Sequence, residues 1–295
     1  MTLKDQEIRQ NWIDRDQEAE NTEPWDIIIS PSKRWVPLNL HELRDHHELL
    51  YFLIWRNIKV RYKQTVLGGA WAIIQPFFTM IVFSIFFGRL AGISSEGVPY
   101  PIFAYTALVP WTFFASALSQ ASNSLLEHER MITKIYFPRL LLPVSAVLSG
   151  LLDFAISFSI LIGMIIWYGL TPTMGLLFLP LFILTATLTA LGVGLWLSAL
   201  NVQYRDVRYV IPFLVQFWLF VTPIAYSSNL VPEKWQALYG LNPMTGVVEG
   251  FRWALLGISY VSIELVLASL LTMFVVLISG LYYFRRMEET FADVV

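Results

Sequence analysis

The sequence contains no cysteine and few charged residues, and each shortage excludes classes of protein. Without cysteine, the 295-residue chain has no disulfide and no thiolate ligand for a metal. Charged residues make up 14% of the chain, compared with about 25% in a soluble domain, and hydrophobic residues make up 56%. This composition excludes a soluble enzyme, a nucleic-acid-binding protein and a disulfide-stabilised secreted domain.

The charged residues are also distributed unevenly along the chain. Of the 42 Asp, Glu, Lys and Arg residues, 21 lie in the first 63 positions, whereas the 47 residues from Phe154 to Leu200 contain none. A transmembrane helix needs about 20 apolar residues, so this uncharged stretch is long enough for two. The sequence therefore predicts an all-α polytopic membrane protein with a polar N-terminal cytoplasmic tail at residues 1–37.

Apolar stretches predict six transmembrane helices within residues 65–286. Residues 227–260 separate the fifth and sixth spans and contain two apolar patches, which proline and glycine interrupt and which are too short to cross a bilayer. We expect two re-entrant half-helices there. Lys and Arg residues in the loops predict that both termini are cytoplasmic, including a C-terminal tail at residues 287–295. The six spans are expected at about 66–89, 102–125, two within 140–200 that divide at Thr171-Pro172, 209–226 and 261–284.

Residues 38–64 are expected to form an amphipathic helix in the membrane interface. Apolar residues recur at helical spacing from Leu43 to Ile54, with basic residues between and after them. The alternative is an ordinary solvated helix. We favour the interface helix because a hydrophobic span follows directly. The cations in the second half of this helix are Arg56, Lys59, Arg61 and Lys63.

The sequence offers the chain no energy source of its own. A phosphate-binding loop needs glycine directly before lysine, and none of the six lysines follows a glycine. We find no catalytic constellation and no metal-binding cluster. Ion-coupled transport needs a titratable group within the membrane, and Asp153 is the main candidate. For Asp153 we favour a structural bond to a neighbouring helix.

Two further features indicate partners. The polar segment at residues 127–139 combines charged residues with apolar anchors, which favours a small helix against a cytoplasmic partner. Aromatic residues make up 15% of the chain, and those near the re-entrant region would offer sugar rings a stacking surface along a pore. The expected channel aromatics are Trp111, Phe113, Phe114, Phe217, Trp218, Phe220 and Tyr226.

Four motifs in order resemble the membrane subunit of ABC-2 type polysaccharide exporters, most closely the O-antigen and teichoic acid exporter permeases. They are RNIKVRYKQTVLGGAWAIIQP at 56–76, KIYFPRLLLP at 134–143, NVQYRDVRYVIPF at 201–213 and LNPMTGVVEGFRWALLG at 241–257. The resemblance implies a homodimeric channel in the bacterial inner membrane, above two copies of a separate cytoplasmic ATPase that binds ATP and Mg²⁺. It implies no cofactor in this chain and no nucleic-acid partner.

The resemblance also implies a substrate and two contact surfaces. The substrate would be an undecaprenyl-diphosphate-linked glycan such as O-antigen, teichoic acid or a capsule-like polymer, which enters at Arg56, Lys59, Arg61 and Lys63. Alternatives are an ABC-2 exporter of a drug or small lipid, an ion-coupled transporter and a membrane-embedded glycosyltransferase. The implied ATPase contacts are Glu127, Glu129, Arg130, Met131, Lys134, Tyr136, Phe137, Arg205 and Asp206.

Overall fold

The computed structural model describes residues 44–63, 70–204, 206–232, 235, 238–258, 262–288 and 291. Within these residues the chain forms helices and no strand, which confirms the predicted all-α fold class. The predicted tail at residues 1–37 and the start of the predicted interface helix lie outside the described residues.

The described helices follow one another with short connections. A π-helical stretch, Ser84–Leu90, continues the second helix, and a 3₁₀-helix, Met174–Phe178, leads into the sixth. The α-helices are α1 (His47–Lys63), α2 (Trp71–Phe83), α3 (Tyr100–Glu127), α4 (Glu129–Ile132), α5 (Leu141–Trp167), α6 (Leu179–Gln203), α7 (Val207–Val221), α8 (Pro243–Leu256) and α9 (Ile263–Glu288).

Five helical stretches among the described residues are long and apolar enough to cross a membrane. They coincide with the predicted first, second, third, fourth and sixth spans. The predicted fifth span coincides with α7, which has 15 residues and is about 22 Å long, shorter than a hydrocarbon core of about 30 Å. The count of six spans therefore stays a prediction. The five stretches are Trp71–Leu90, Tyr100–Glu127, Leu141–Trp167, Met174–Gln203 and Ile263–Glu288.

Helix α8 lies where a re-entrant half-helix is predicted. It has 14 residues, too few to cross a bilayer. The Asn242 side chain caps its N-terminus by accepting a hydrogen bond from the Met244 amide at 3.1 Å, and Gly257 ends it with a positive φ of 68°. The other half-helix stays a prediction because residues 233, 234, 236 and 237 lie outside the described part of the chain.

Helix α3 is the centre of the bundle. In its most apolar window 78% of the residues are buried, compared with 17% for Trp71–Leu90 and 22% for α9. Helices α5, α6 and α8 pack around α3, and α9 packs on α6. The α6–α9 contact needs glycine on both helices, since a Cβ at Gly280 would lie 2.3 Å from the Gly192 carbonyl oxygen.

Different segments of the chain meet at the two ends of the bundle. At one end, which we call the α4 end, Leu53 of α1, Ile132 of α4 and Phe284 of α9 belong to one apolar cluster. At the opposite α8 end, the Tyr100 hydroxyl donates to the Ala225 carbonyl at 2.6 Å. The start of α3 and the segment after α7 therefore meet at the α8 end, whereas the segment after α3 and the end of α9 meet at the α4 end.

Candidate functional site

Helix α1 packs along α5 through both apolar and polar contacts. Leu53 is 1% exposed, and the Asn57 amide donates to the Ser145 hydroxyl at 3.4 Å. The opposite face of α1 presents aromatic side chains, with Tyr51 70% and Phe52 60% exposed. Exposed rings beside basic residues fit a helix in the membrane interface.

The four predicted entrance cations of α1 divide into two pairs. Lys59 and Lys63 are exposed on the outer surface of the helix, whereas Arg56 and Arg61 are half-buried. These two arginines line a cavity of about 490 Å³ between α1, α3 and α5. An anion in this cavity would therefore meet two guanidinium groups.

The same cavity contains one acid and one histidine from the end of α3. They are Glu127 and His128. Burial lowers the pKa of His128 below its usual range, so its imidazole is neutral at neutral pH. Its Nδ1 lies 2.7 Å from the Ser124 carbonyl oxygen.

Arg61 joins α1 to two transmembrane helices. Its guanidinium forms an ion pair with Asp153 of α5 and donates to the Gln120 side chain of α3. The Tyr62 hydroxyl donates to the second oxygen of Asp153. Burial first, and then this hydrogen bond, raise the pKa of Tyr62, so the phenol stays protonated. These contacts confirm the predicted structural bond of Asp153 to a neighbouring helix.

A second cavity lies beyond this contact. It has a volume of about 270 Å³ and shares Arg61 and Gln120 with the first. Asp153 lines it together with Gln75 of α2 and other hydroxyl and amide side chains of α3 and α5. Sequence reasoning missed Gln120 and Gln75. The available signal was their polarity within otherwise apolar spans.

The segment from Glu127 to Pro138 presents an outward surface at the α4 end. Tyr136 is 101% and Ile135 61% exposed, whereas Ile132 and Phe137 are 5% and 6% exposed. Phe137 is thus an exception among the predicted ATPase contacts, because it packs inside its own chain and supports the segment from within. Arg205 lies outside the described residues. Of the other predicted contacts, Glu127, Glu129, Arg130, Lys134 and Asp206 are exposed and Met131 is half-buried.

The end of α9 holds the connection that leads from this segment into α5. The Arg139 amide donates to the Glu288 carboxylate at 3.1 Å, and its guanidinium donates to the Glu288 carbonyl. Arg285 pairs with the same carboxylate at 2.8 Å. The predicted partner surface is therefore tied directly to the last span, a connection that sequence reasoning missed.

At the α8 end, Arg252 is fully buried and holds the chain that follows α7. Its guanidinium donates to the carbonyls of Pro223 at 2.7 Å, Ile224 at 2.8 Å and Tyr226 at 3.1 Å. It also lies 3.6 Å from the centre of the Phe103 ring, within the range of a cation–π contact. Sequence reasoning counted Arg252 only as a loop charge.

Two acidic residues hold the same segment after α7. Glu249 pairs with Arg252 at 3.2 Å and accepts a hydrogen bond from the Ser228 amide at 3.1 Å. Glu96, in the loop before α3, accepts hydrogen bonds from the side-chain amide of Asn229 at 2.7 Å and from the Ser227 hydroxyl. Residues 223–229 are therefore held from both α8 and the first loop.

The predicted channel aromatics have different surroundings. Trp111, Phe113 and Phe114 are at most 3% exposed, and Phe114 packs edge-on against the half-buried Trp218 at 5.0 Å. Tyr226 is half-buried, and its hydroxyl lies 2.6 Å from that of Tyr239. For these rings the structure shows packing within the chain. A channel role stays a prediction for the exposed rings.

Helix α7 carries a continuous exposed row of aromatic side chains. Phe217 and Phe220, which were predicted, are 62% and 57% exposed. Tyr209 and Phe213 were not among the predicted channel aromatics, and they are 73% and 72% exposed on the same face. Spacings of four, four and three residues place these rings along one side of the helix. We call these four residues the aromatic stripe.

Comparisons with known proteins agree with this architecture. A profile of the ABC-2 type transporter family matches residues 48–256, more than half of the chain. The chain is 27% identical to the O-antigen export system permease protein RfbA of Klebsiella pneumoniae, over 84% of this chain and 95% of that protein. It is 26% identical to the RfbA of Myxococcus xanthus, over 72% and 82%. It is also 26% identical to the polysialic acid transport protein KpsM of Escherichia coli, over 80% and 92%. The chain therefore belongs to the ABC-2 type transporter family.

Proposed function

We propose that this chain is the membrane subunit of an ATP-driven exporter that moves a lipid-linked polysaccharide across the bacterial inner membrane. The observation that carries the proposal is the similarity, along most of the chain, to permeases named for O-antigen export and polysialic acid transport. The substrate is an undecaprenyl-diphosphate-linked glycan. Its lipid diphosphate enters at α1, and its sugars pass along the aromatic stripe.

The energy comes from a separate ATPase subunit, which binds ATP and Mg²⁺. Support comes from the absence of a Gly-Lys phosphate-binding motif in the sequence and from the exposed segment at the α4 end. Tyr136 and Ile135 offer an apolar centre, and Glu129, Arg130 and Lys134 surround it with charge. An exposed tyrosine within a polar rim is typical of a protein-binding hot spot.

The α4 end faces the cytoplasm in this proposal. Cations are enriched on the cytoplasmic side of membrane proteins. Among the described residues, the α8 end carries only Arg89 and the buried Arg252. The α4 end carries Arg56, Lys59, Arg61, Lys63, Arg130, Lys134, Arg139, Arg208, Arg285 and Arg286.

Two copies of the chain form the channel. Ile211 is the only buried residue of α7, and the span Trp71–Leu90 is also largely uncovered. Gln216 is exposed on the apolar α7, where lipid would leave its amide without hydrogen bonds. A second copy, or a water-filled channel between the copies, would supply the missing partners.

An ABC-2 exporter of a drug or small lipid is the remaining alternative, because membership of the family does not define the cargo. Ion-coupled transport is less well supported. Asp153, its main candidate, is held by Arg61 and Tyr62 and so connects α5 to α1.

Replacing Phe213 and Phe217 together by leucine should reduce surface polysaccharide about tenfold, since two ring contacts are lost while apolar surface remains. The measurement is polysaccharide on cells whose own copy of the gene is deleted and replaced by the variant. The matched control replaces both residues by tyrosine, which keeps the rings and should preserve export. Full export by the leucine variant would contradict the role of the stripe. Normal surface polysaccharide in the deletion strain would contradict the proposed function.

A further inference from the structure

We propose that Asp153 is a specificity residue. Without substrate, the Asp153 carboxylate is paired with the Arg61 guanidinium. A lipid diphosphate head group must displace this carboxylate to bind Arg61. The inference deepens the proposed function and rests on it. The cations of α1 attract the lipid, and the competition between Asp153 and the head group for Arg61 makes the site prefer a diphosphate.

The first step is the position of the contact. Arg61, Asp153 and Gln120 come from α1, α5 and α3, and they meet between the two cavities. The side chains of Arg61 and Asp153 are 25% and 19% exposed. The pair is therefore accessible to a ligand in either cavity.

The second step is the balance of charge. Arg56, Arg61, Glu127 and the neutral His128 line the 490 Å³ cavity, and Asp153 pairs with Arg61 from the adjoining cavity. The site is therefore formally uncharged at rest. A head group displaces the Asp153 carboxylate more readily the more negative charge and acceptor oxygens it offers Arg61, so a monophosphate displaces it less readily than a diphosphate does.

The third step is the chemistry of the ligand. A diphosphate has more negative charge and more acceptor oxygens than a carboxylate, so it can engage Arg56 and Arg61 together. Guanidinium groups bind phosphate oxygens in a bidentate manner. The displaced Asp153 keeps the Tyr62 hydroxyl as a donor. Competition with Asp153 therefore selects a diphosphate over a monophosphate.

The fourth step concerns the boundary between the two cavities. Displacing Asp153 from Arg61 breaks a connection of α1 to α5 at the boundary that both cavities share. Beyond it lie Gln75 and Ser157, which line the second cavity. Binding of the head group thus loosens the boundary between the entrance and a polar region deeper in the bundle.

The experiment measures binding of farnesyl diphosphate and farnesyl monophosphate to the full chain in phosphatidylcholine nanodiscs. Asp153→Asn should bind the diphosphate about threefold and the monophosphate about thirtyfold more tightly, since the competing charge is gone, and should therefore lose most of the preference for the diphosphate. Arg61→Gln should lose diphosphate binding. Arg286→Gln, which removes an exposed cation of α9 that lines neither cavity, should bind like the wild type. Thermal unfolding of each variant shows whether it is folded.

Three results would overturn the inference. One is a folded Asp153→Asn variant with unchanged or weaker diphosphate binding, which would make the pair purely structural. Another is an unchanged preference for diphosphate in that variant. The third is inorganic pyrophosphate bound as tightly as farnesyl diphosphate, since the ligand would then be a free anion instead of a lipid. If wild-type cells export polysaccharide in any of these cases, the proposed function stands and only this inference fails.

Discussion

Replacing Arg252 by alanine should lower the free energy of unfolding by about 3–5 kcal/mol, because the change leaves the buried Glu249 carboxylate without its counter-charge. It also removes the donors to the carbonyls of Pro223, Ile224 and Tyr226. Buried polar groups that lose their partner are costly. Denaturant-induced unfolding in detergent micelles measures the change.

Two further variants separate this effect from a general loss of charge. Arg286→Ala removes an exposed arginine at the end of α9 and should change stability by less than about 0.5 kcal/mol. Arg252→Met combined with Glu249→Gln removes both charges and should be more stable than Arg252→Ala alone. Equal unfolding free energies for Arg252→Ala and Arg286→Ala would contradict the structural role of Arg252.

Replacing Tyr136 by alanine should weaken binding of the ATPase subunit by about 2 kcal/mol, or about thirtyfold in Kd, as expected for a central interface residue. Tyr136 is fully exposed, so its loss should leave the stability of the chain unchanged. The measurement is the affinity between the purified subunits, together with the thermal stability of the variant.

The control is Tyr168→Ala, which removes another exposed tyrosine from the connection between α5 and α6. It should bind the ATPase normally. Unchanged affinity in Tyr136→Ala would show that the partner binds elsewhere. By contrast, Phe137→Ala should lower stability as well as binding, since Phe137 supports the segment from its buried side.

The architecture could be predicted from the sequence because hydropathy and Lys/Arg counts are averages over whole segments and do not depend on the position of any single side chain. They placed the five long helices and the irregular region that contains α8. At the predicted fifth span, the apolar stretch at 209–226 is 18 residues long, whereas α7 ends at Val221. Beyond it, the backbone carbonyls from Pro223 to Tyr226 bond to Arg252. A hydropathy pattern does not reveal that a buried arginine side chain will supply hydrogen-bond donors to these carbonyls.

The candidate sites were less predictable because they depend on which face each side chain occupies. Phe114 and Phe217 are equally apolar, yet one is buried in the central helix and the other is 62% exposed on α7. Arg61 and Asp153 are 92 positions apart, so only the packing of α1 on α5 brings them together. Composition indicated that Asp153 needs a partner, whereas the identity of that partner required the structure.

The most direct test is ATP-dependent movement of lipid-linked polysaccharide into sealed proteoliposomes that contain this chain and its ATPase subunit. We expect transport only when both subunits and ATP are present, and we expect it to be lost with Tyr136→Ala and kept with Tyr168→Ala. We expect no effect of an imposed proton or sodium gradient. Transport by this chain alone, or transport that a gradient drives without ATP, would contradict the role of an ATP-driven export subunit.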